Sequence, residues 1–117
     1  MIVGHSLGGL FGAYALLKEP SLFADYILTS PSLWFHEEVI FDIVERAHKA
    51  GKPLSGRVFF ATGETETPEI NGGNHDMVRQ QKAFADLLRS RNHKGLIIKD
   101  VTYENGTHLT TYPIGLI

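Results

Sequence analysis

Gly4-His5-Ser6-Leu7-Gly8-Gly9 (GHSLGG) is the stretch whose reading decides the fold. It contains G-x-S-x-G, a pattern too short to mean much alone, so its flanks decide. Residues 1–3 are a short apolar run, the tail of a buried strand. Residues 7–18 follow directly and read as a helix. Leu10, Phe11, Tyr14 and Leu17 recur at helical spacing, and Glu19-Pro20 ends it, because the residue before a proline is driven out of the α region. Strand, sharp turn and helix together are the setting of a nucleophile elbow. The logic is steric: Gly4 and Gly8 let strand and helix approach without Cβ clashes, and Gly9 adds room. The Leu7 N–H stands at the helix N-terminus, where it can donate to an oxyanion with the helix dipole behind it. The bland alternatives are a glycine-rich turn with Ser6 as its N-cap, or a phosphate-binding turn. The second lacks both G-K-[ST] and G-x-G-x-x-G. His5, adjacent to Ser6 on a sharp turn, points elsewhere and reads as a packing or pocket residue.

Outward from the turn, strands and helices alternate. Residues 26–30 (YILTS) form a strand closed by Pro31. Residues 37–50 form a helix with Val39, Ile40, Ile43, Val44 and Ala47 on one face and Gly51 as C-cap. Residues 57–62 (RVFFAT) are a continuous apolar run of the kind buried in a parallel sheet. A polar loop over 63–74 leads to a helix over 76–91, with Met77, Gln81, Phe84 and Leu88 on one side. A strand from Gly95-Leu96 to about Tyr103 and a loop over 104–108 follow. This order predicts βαβ crossovers and an α/β, mostly parallel sheet with flanking helices, as one domain over residues 1–117.

Composition sets bounds on partners. The chain has 117 residues, a net charge of −2 and no cysteine, which excludes disulfides and thiolate metal sites. No Lys/Arg block argues for nucleic acid or an anionic membrane. No apolar run reaches the ~20 residues of a transmembrane helix. Metal-ligand patterns such as H-E-x-x-H are missing, and no cofactor is called for. Compartment stays open between cytoplasm and periplasm.

A serine nucleophile needs a base, and in α/β hydrolases the order is Ser, acid, His. His108 fits: VTYENGTH leaves the last strand, turns at Asn105-Gly106 and delivers a histidine. His36, His48, His75 and His93 lie on or beside helices and fit worse. The acid belongs after residues 57–62, where GETETPE offers Glu64, Glu66 and Glu69. Asp76, at the next helix start, is a further candidate or an N-terminal helix charge. Residue chemistry alone leaves these four open.

GHSLGGLFGAYALLKEPSLF, SPSLWF, FFATGETE, HDMVRQQKAFADLL and ENGTH together resemble the esterase D-like branch of the α/β hydrolases, among predicted hydrolases allied to ferric enterobactin and bacillibactin esterases. The resemblance covers nearly the whole chain. It implies a Ser-His hydrolase of carboxylic esters, including siderophore-type esters, with no metal or organic cofactor. It carries the nucleophile onto Ser6 and the base onto His108. The family acid, three residues after the glycine that ends the strand, falls on Glu66, although some members of this group work with a Ser-His dyad. Trp34, just after SPSL, resembles a residue at the active-site mouth and, with His5, is expected to line the substrate site.

The resemblance also implies an α/β-hydrolase fold whose N-terminal half is missing, with the tail stopping inside the final helix. Two rival readings follow: a catalytically incompetent fragment acting as an interaction module, and an acyltransferase using the same residues. Self-association through the exposed sheet edge is expected.

Overall fold

The computed structural model describes residues 1–67 and 76–104. Its elements alternate in chain order: β1 (Ile2–His5), α1 (Leu7–Lys18), β2 (Asp25–Thr29), α2 (Phe35–Lys49), β3 (Ser55–Gly63), α3 (Met77–Ser90) and β4 (Gly95–Tyr103). The strands pair β1-β2-β3-β4, all parallel. This is an α/β, all-parallel sheet, and each strand and helix expected before residue 104 is present within a few residues of its expected bounds, while the expected final helix lies outside the described residues. Among the described residues no helix is long and apolar enough to cross a membrane.

Because the strands advance in one direction, right-handed crossovers carry every helix to the same side. Burial records this. On the helix side Tyr26, Leu28, Val58 and Phe60 are buried, whereas Val3 and Ile97 on the other side are exposed. Phe84 of α3 sits at the centre of the core. The Phe41 ring of α2 meets it edge-on at 5.3 Å and the Phe60 ring of β3 at 5.8 Å, the geometry aromatic quadrupoles favour. Met77, Gln81, Phe84 and Leu88 are all buried, as the helical spacing of α3 requires. The opposite face carries Ile27, Phe59 and Ile97 around an Arg57–Asp25 ion pair of 2.6 Å.

Helix α1 buries its small side, Gly9, Gly12, Ala13, Ala15, Leu16 and Leu17. Phe11 and Tyr14, two of the apolar residues at helical spacing, are 61% and 42% exposed. The reason is proximity: a Cβ on Gly12 would lie 2.4 Å from Leu28 Cδ2. A helix this close to the sheet has no room for aromatic rings between the two. In α2, residues His36, Glu37 and Glu38 hold positive φ of 50–61°, so the right-handed helix runs from Val39. Its far end matches expectation. Gly51 sits at φ 70°, with Gly51 N–H donating to His48 O and Lys52 N–H to Ala47 O, the paired bonds of a Schellman motif.

Two outcomes are expected. The sheet face that no described helix covers, the edge of β1 that no described strand pairs, and exposed Leu7, Phe11 and Tyr14 should drive association. Light scattering on the isolated 117-residue chain at micromolar concentration should report species larger than a monomer; a clean monomer with cooperative unfolding would contradict this. The second outcome concerns the β1–α1 junction. A Cβ on Gly4 would lie 2.2 Å from the Gly8 carbonyl oxygen, whereas a Cβ on Gly8 meets no described atom within 4 Å. Gly4→Ala should therefore destabilise by roughly 1–3 kcal/mol or prevent folding, while Gly8→Ala leaves the Tm unchanged or slightly raised. Thermal denaturation of the two variants decides this.

Candidate active site

Strand β1 ends at His5 and α1 begins at Leu7, so Ser6 alone makes the connection. Its backbone takes φ 60° and ψ −119°, a region that L residues seldom occupy. Three bonds hold it there. Ser6 N–H donates to Thr29 O (3.0 Å), and Ser6 O accepts from Leu10 N–H (3.1 Å) and Ser32 N–H (3.0 Å). The Ser6 side chain makes no capping bond to α1. Its Oγ lies 3.3 Å from Oγ of buried Ser32 instead, so the N-cap alternative fails. Leu7 opens α1, and an amide in the first turn has no acceptor within its own helix. The Leu7 amide thus lies at the positive end of the helix dipole, one residue after Ser6.

The glycines divide their work differently from the expectation. Gly4 permits the close approach of β1 to α1, and Gly9 makes room for the turn after β2, where a Cβ would lie 2.9 Å from Pro31 Cα. Gly8 is exposed and relieves no contact among the described residues.

The acids separate by surroundings. Glu64 is exposed and Glu69 lies outside the described residues. The Asp76 side chain accepts from Arg79 N–H at 2.9 Å and caps α3, which is the helix-charge role weighed for it. Glu66 is 1% exposed. Its Oε2 accepts from Ser30 Oγ–H (2.8 Å) and Gly63 N–H (2.7 Å). Its backbone is tied at both ends, Glu66 N–H to Gly63 O and Met77 N–H to Glu66 O, each 3.0 Å. The carboxylate is thus fixed between the end of β3 and the start of α3.

His108 lies outside the described residues. The chain reaches it from β4, whose last residue, Tyr103, pairs with Gly63, and Glu64 N–H donates to Tyr103 O at 2.9 Å. Strand β4 therefore ends beside the start of the Glu66 loop. His5 is half-buried, with Nδ1 2.8 Å from Thr29 Oγ1. Trp34 is half-buried and stacks at a tilt on Phe35, 6.4 Å between centroids. An apolar groove of about 320 Å³ runs from Leu7 between α1 and α2, past Phe11, Tyr14, Phe35 and Ile43. The remaining described histidines are elsewhere. His36 is on the left-handed turn and His48 in the last turn of α2. His93 precedes β4 and accepts from Leu54 N–H through Nδ1; burial, and then His48, push its imidazole below the ordinary histidine pKa. Among the described residues no group of three or more His, Asp or Glu side chains could hold a metal ion.

Ser6, Ser30 and Glu66 all stand just past the C-terminal ends of parallel strands, where open α/β sheets bind their ligands. Ser30 and Ser32 were not singled out from the sequence. The available signal was two hydroxyls flanking a proline directly after a buried parallel strand.

Comparisons with known proteins agree with this fold, although no family model matches the chain. The ferri-bacillibactin esterase BesA of Bacillus subtilis is 38% identical over 117 residues, covering 97% of this chain and 38% of BesA. The siderophore enterobactin esterase of Emericella nidulans is 28% identical over 93 residues, 80% of this chain and 29% of that protein. Among solved structures, an IroE-like serine hydrolase from Shewanella oneidensis superposes with a TM-score of 0.78 at 31% identity, over 97% of this chain and 36% of its own. The chain spans about a third of the length of the curated relatives it matches. Over nearly its whole length the chain is similar in sequence and in fold to part of these siderophore esterases, which supports an esterase family of the α/β-hydrolase fold.

Proposed function

We propose that the chain carries the catalytic residues of a serine esterase acting on carboxylic esters of small molecules, siderophore-type esters among them. The observation that carries this is the Ser6 backbone: φ 60°, locked by three hydrogen bonds, with its hydroxyl turned away from helix capping. A serine at so unfavourable a conformation, at the C-terminal edge of a parallel sheet, has the attributes of a nucleophile elbow. The substrate class rests on the names of the relatives, two of them siderophore esterases.

In this reading Ser6 Oγ attacks the ester carbonyl carbon while His108 takes its proton. The carbonyl oxygen becomes an oxyanion and accepts from Leu7 N–H, where the α1 dipole favours negative charge. The tetrahedral intermediate collapses and the C–O bond to the alcohol breaks. The leaving alkoxide receives the proton held by His108. A water, deprotonated by His108, then attacks the acyl-Ser6 ester and releases the acid. Glu66 holds the imidazole in one tautomer and stabilises its cationic form. His5 and Trp34, beside the elbow and the turn after β2, contact the substrate. No step uses a metal or organic cofactor.

Hydrolysis of a short-chain aryl ester by the chain tests this. Ser6→Ala and His108→Ala should each lower kcat by at least about 10³-fold. Glu66→Gln should cost about 10²–10⁴-fold, far more than Glu64→Gln or Glu69→Gln. Activity should rise with pH as the base loses its proton, across the range of about pH 5–8 where histidines titrate. Most of the activity surviving in Ser6→Ala, or a flat pH profile, would contradict the assignment.

A further inference from the structure

The geometry points to Ser30 as a positioning residue for the acid, with the Ser30-Pro31-Ser32 turn setting acid and nucleophile in register; this rests on the esterase reading above. Ser30 is the first residue after β2, fully buried, with φ 41°. An L side chain is disfavoured there and glycine is not. A serine at a backbone conformation that suits glycine draws attention to what its hydroxyl does. That hydroxyl donates to Glu66 Oε2 at 2.8 Å. The same oxygen accepts from Gly63 N–H at 2.7 Å, so two hydrogen bonds converge on one atom. A carboxyl group buried this deeply needs hydrogen-bond partners to offset the water it has lost. The Ser30 backbone is itself clamped, its N–H donating to Ala61 O at 2.6 Å. The hydroxyl is therefore a fixed point on the sheet and not a rotor on a loose loop.

The next two residues carry the same frame to the nucleophile. Pro31 has a restricted φ and lies against the first turn of α1, touching the space that a Gly9 Cβ would fill. Ser32 is buried, donates its N–H to Ser6 O at 3.0 Å and sets its Oγ 3.3 Å from Ser6 Oγ. Three consecutive residues thus touch the acid, the elbow helix and the nucleophile. A displacement of about 1 Å between such groups can cost 10²-fold in rate, and this turn removes that freedom.

The test is a double-mutant cycle on hydrolysis of 4-nitrophenyl butyrate by the 117-residue chain, with thermal unfolding measured in parallel. Ser30→Gly relieves the backbone and removes the hydroxyl; Ser30→Ala removes the hydroxyl alone. Both should lower kcat by about 10- to 100-fold with KM little changed. Ser30→Gly should nevertheless unfold at a higher temperature than Ser30→Ala, which separates the rate loss from stability. In a Glu66→Gln background, Ser30→Gly should lower kcat less than about 3-fold, because the two residues act as one unit. Full activity of Ser30→Gly and Ser30→Ala, or an equal loss in both backgrounds, overturns the role of Ser30 and leaves the esterase reading standing. Loss of no rate in Glu66→Gln, or no hydrolysis by the unaltered chain, overturns the esterase reading as stated and this role with it.

Discussion

Every feature of the site depends on one contact, the approach of the Gly4 backbone to the Gly8 carbonyl. A single added methyl would sit 2.2 Å from that oxygen, well inside any tolerable separation. Only with that contact in place can one residue, Ser6, join a parallel strand to a helix. The junction forces Ser6 to φ 60°, and the same geometry leaves the Leu7 amide at the open end of α1. The Ser6 conformation and the position of the Leu7 amide are therefore two consequences of one steric fact. The bonds from Ser6 to Thr29, Leu10 and Ser32 stabilise a conformation that would otherwise relax.

The sheet then does the placing. Strands β1, β2 and β3 run parallel and in sequence order, so their C-terminal ends lie side by side. Ser6, Ser30 and Glu66 follow those three ends in turn. Neighbouring backbone atoms at a sheet edge are about 5 Å apart, which side-chain hydroxyls and carboxylates readily span. The one-sided placement of α1, α2 and α3 comes from the same order. It leaves Val3, Phe59 and Ile97 on a face that no described helix covers.

Much of this was legible in the sequence because local signals and tertiary demands agreed. Gly63 ends β3 and Glu66 follows at the family spacing; burial between Ser30 and Gly63 then distinguishes it from Glu64 and Asp76, which spacing alone could not do. Other features were invisible for definite reasons. The period of Leu10, Phe11, Tyr14 and Leu17 is helical, but α1 is apolar on most sides, so periodicity could not say which side faces the sheet. The small residues Gly9, Gly12 and Ala13 held that information. The left-handed turn at His36–Glu38 contains no glycine or asparagine to announce it. Ser30 and Ser32 look like ordinary turn residues until the sheet brings β1 and β3 to either side of them.

The central claim is that Ser6 is an activated nucleophile, and covalent trapping tests it most directly. The folded chain is incubated with a fluorophosphonate and the adduct located by peptide mass spectrometry. A single phosphonyl group on Ser6, formed faster as pH rises through the histidine range and lost on unfolding the chain beforehand, is the predicted result. A folded chain that takes up no label, or takes it on another residue, would contradict the account.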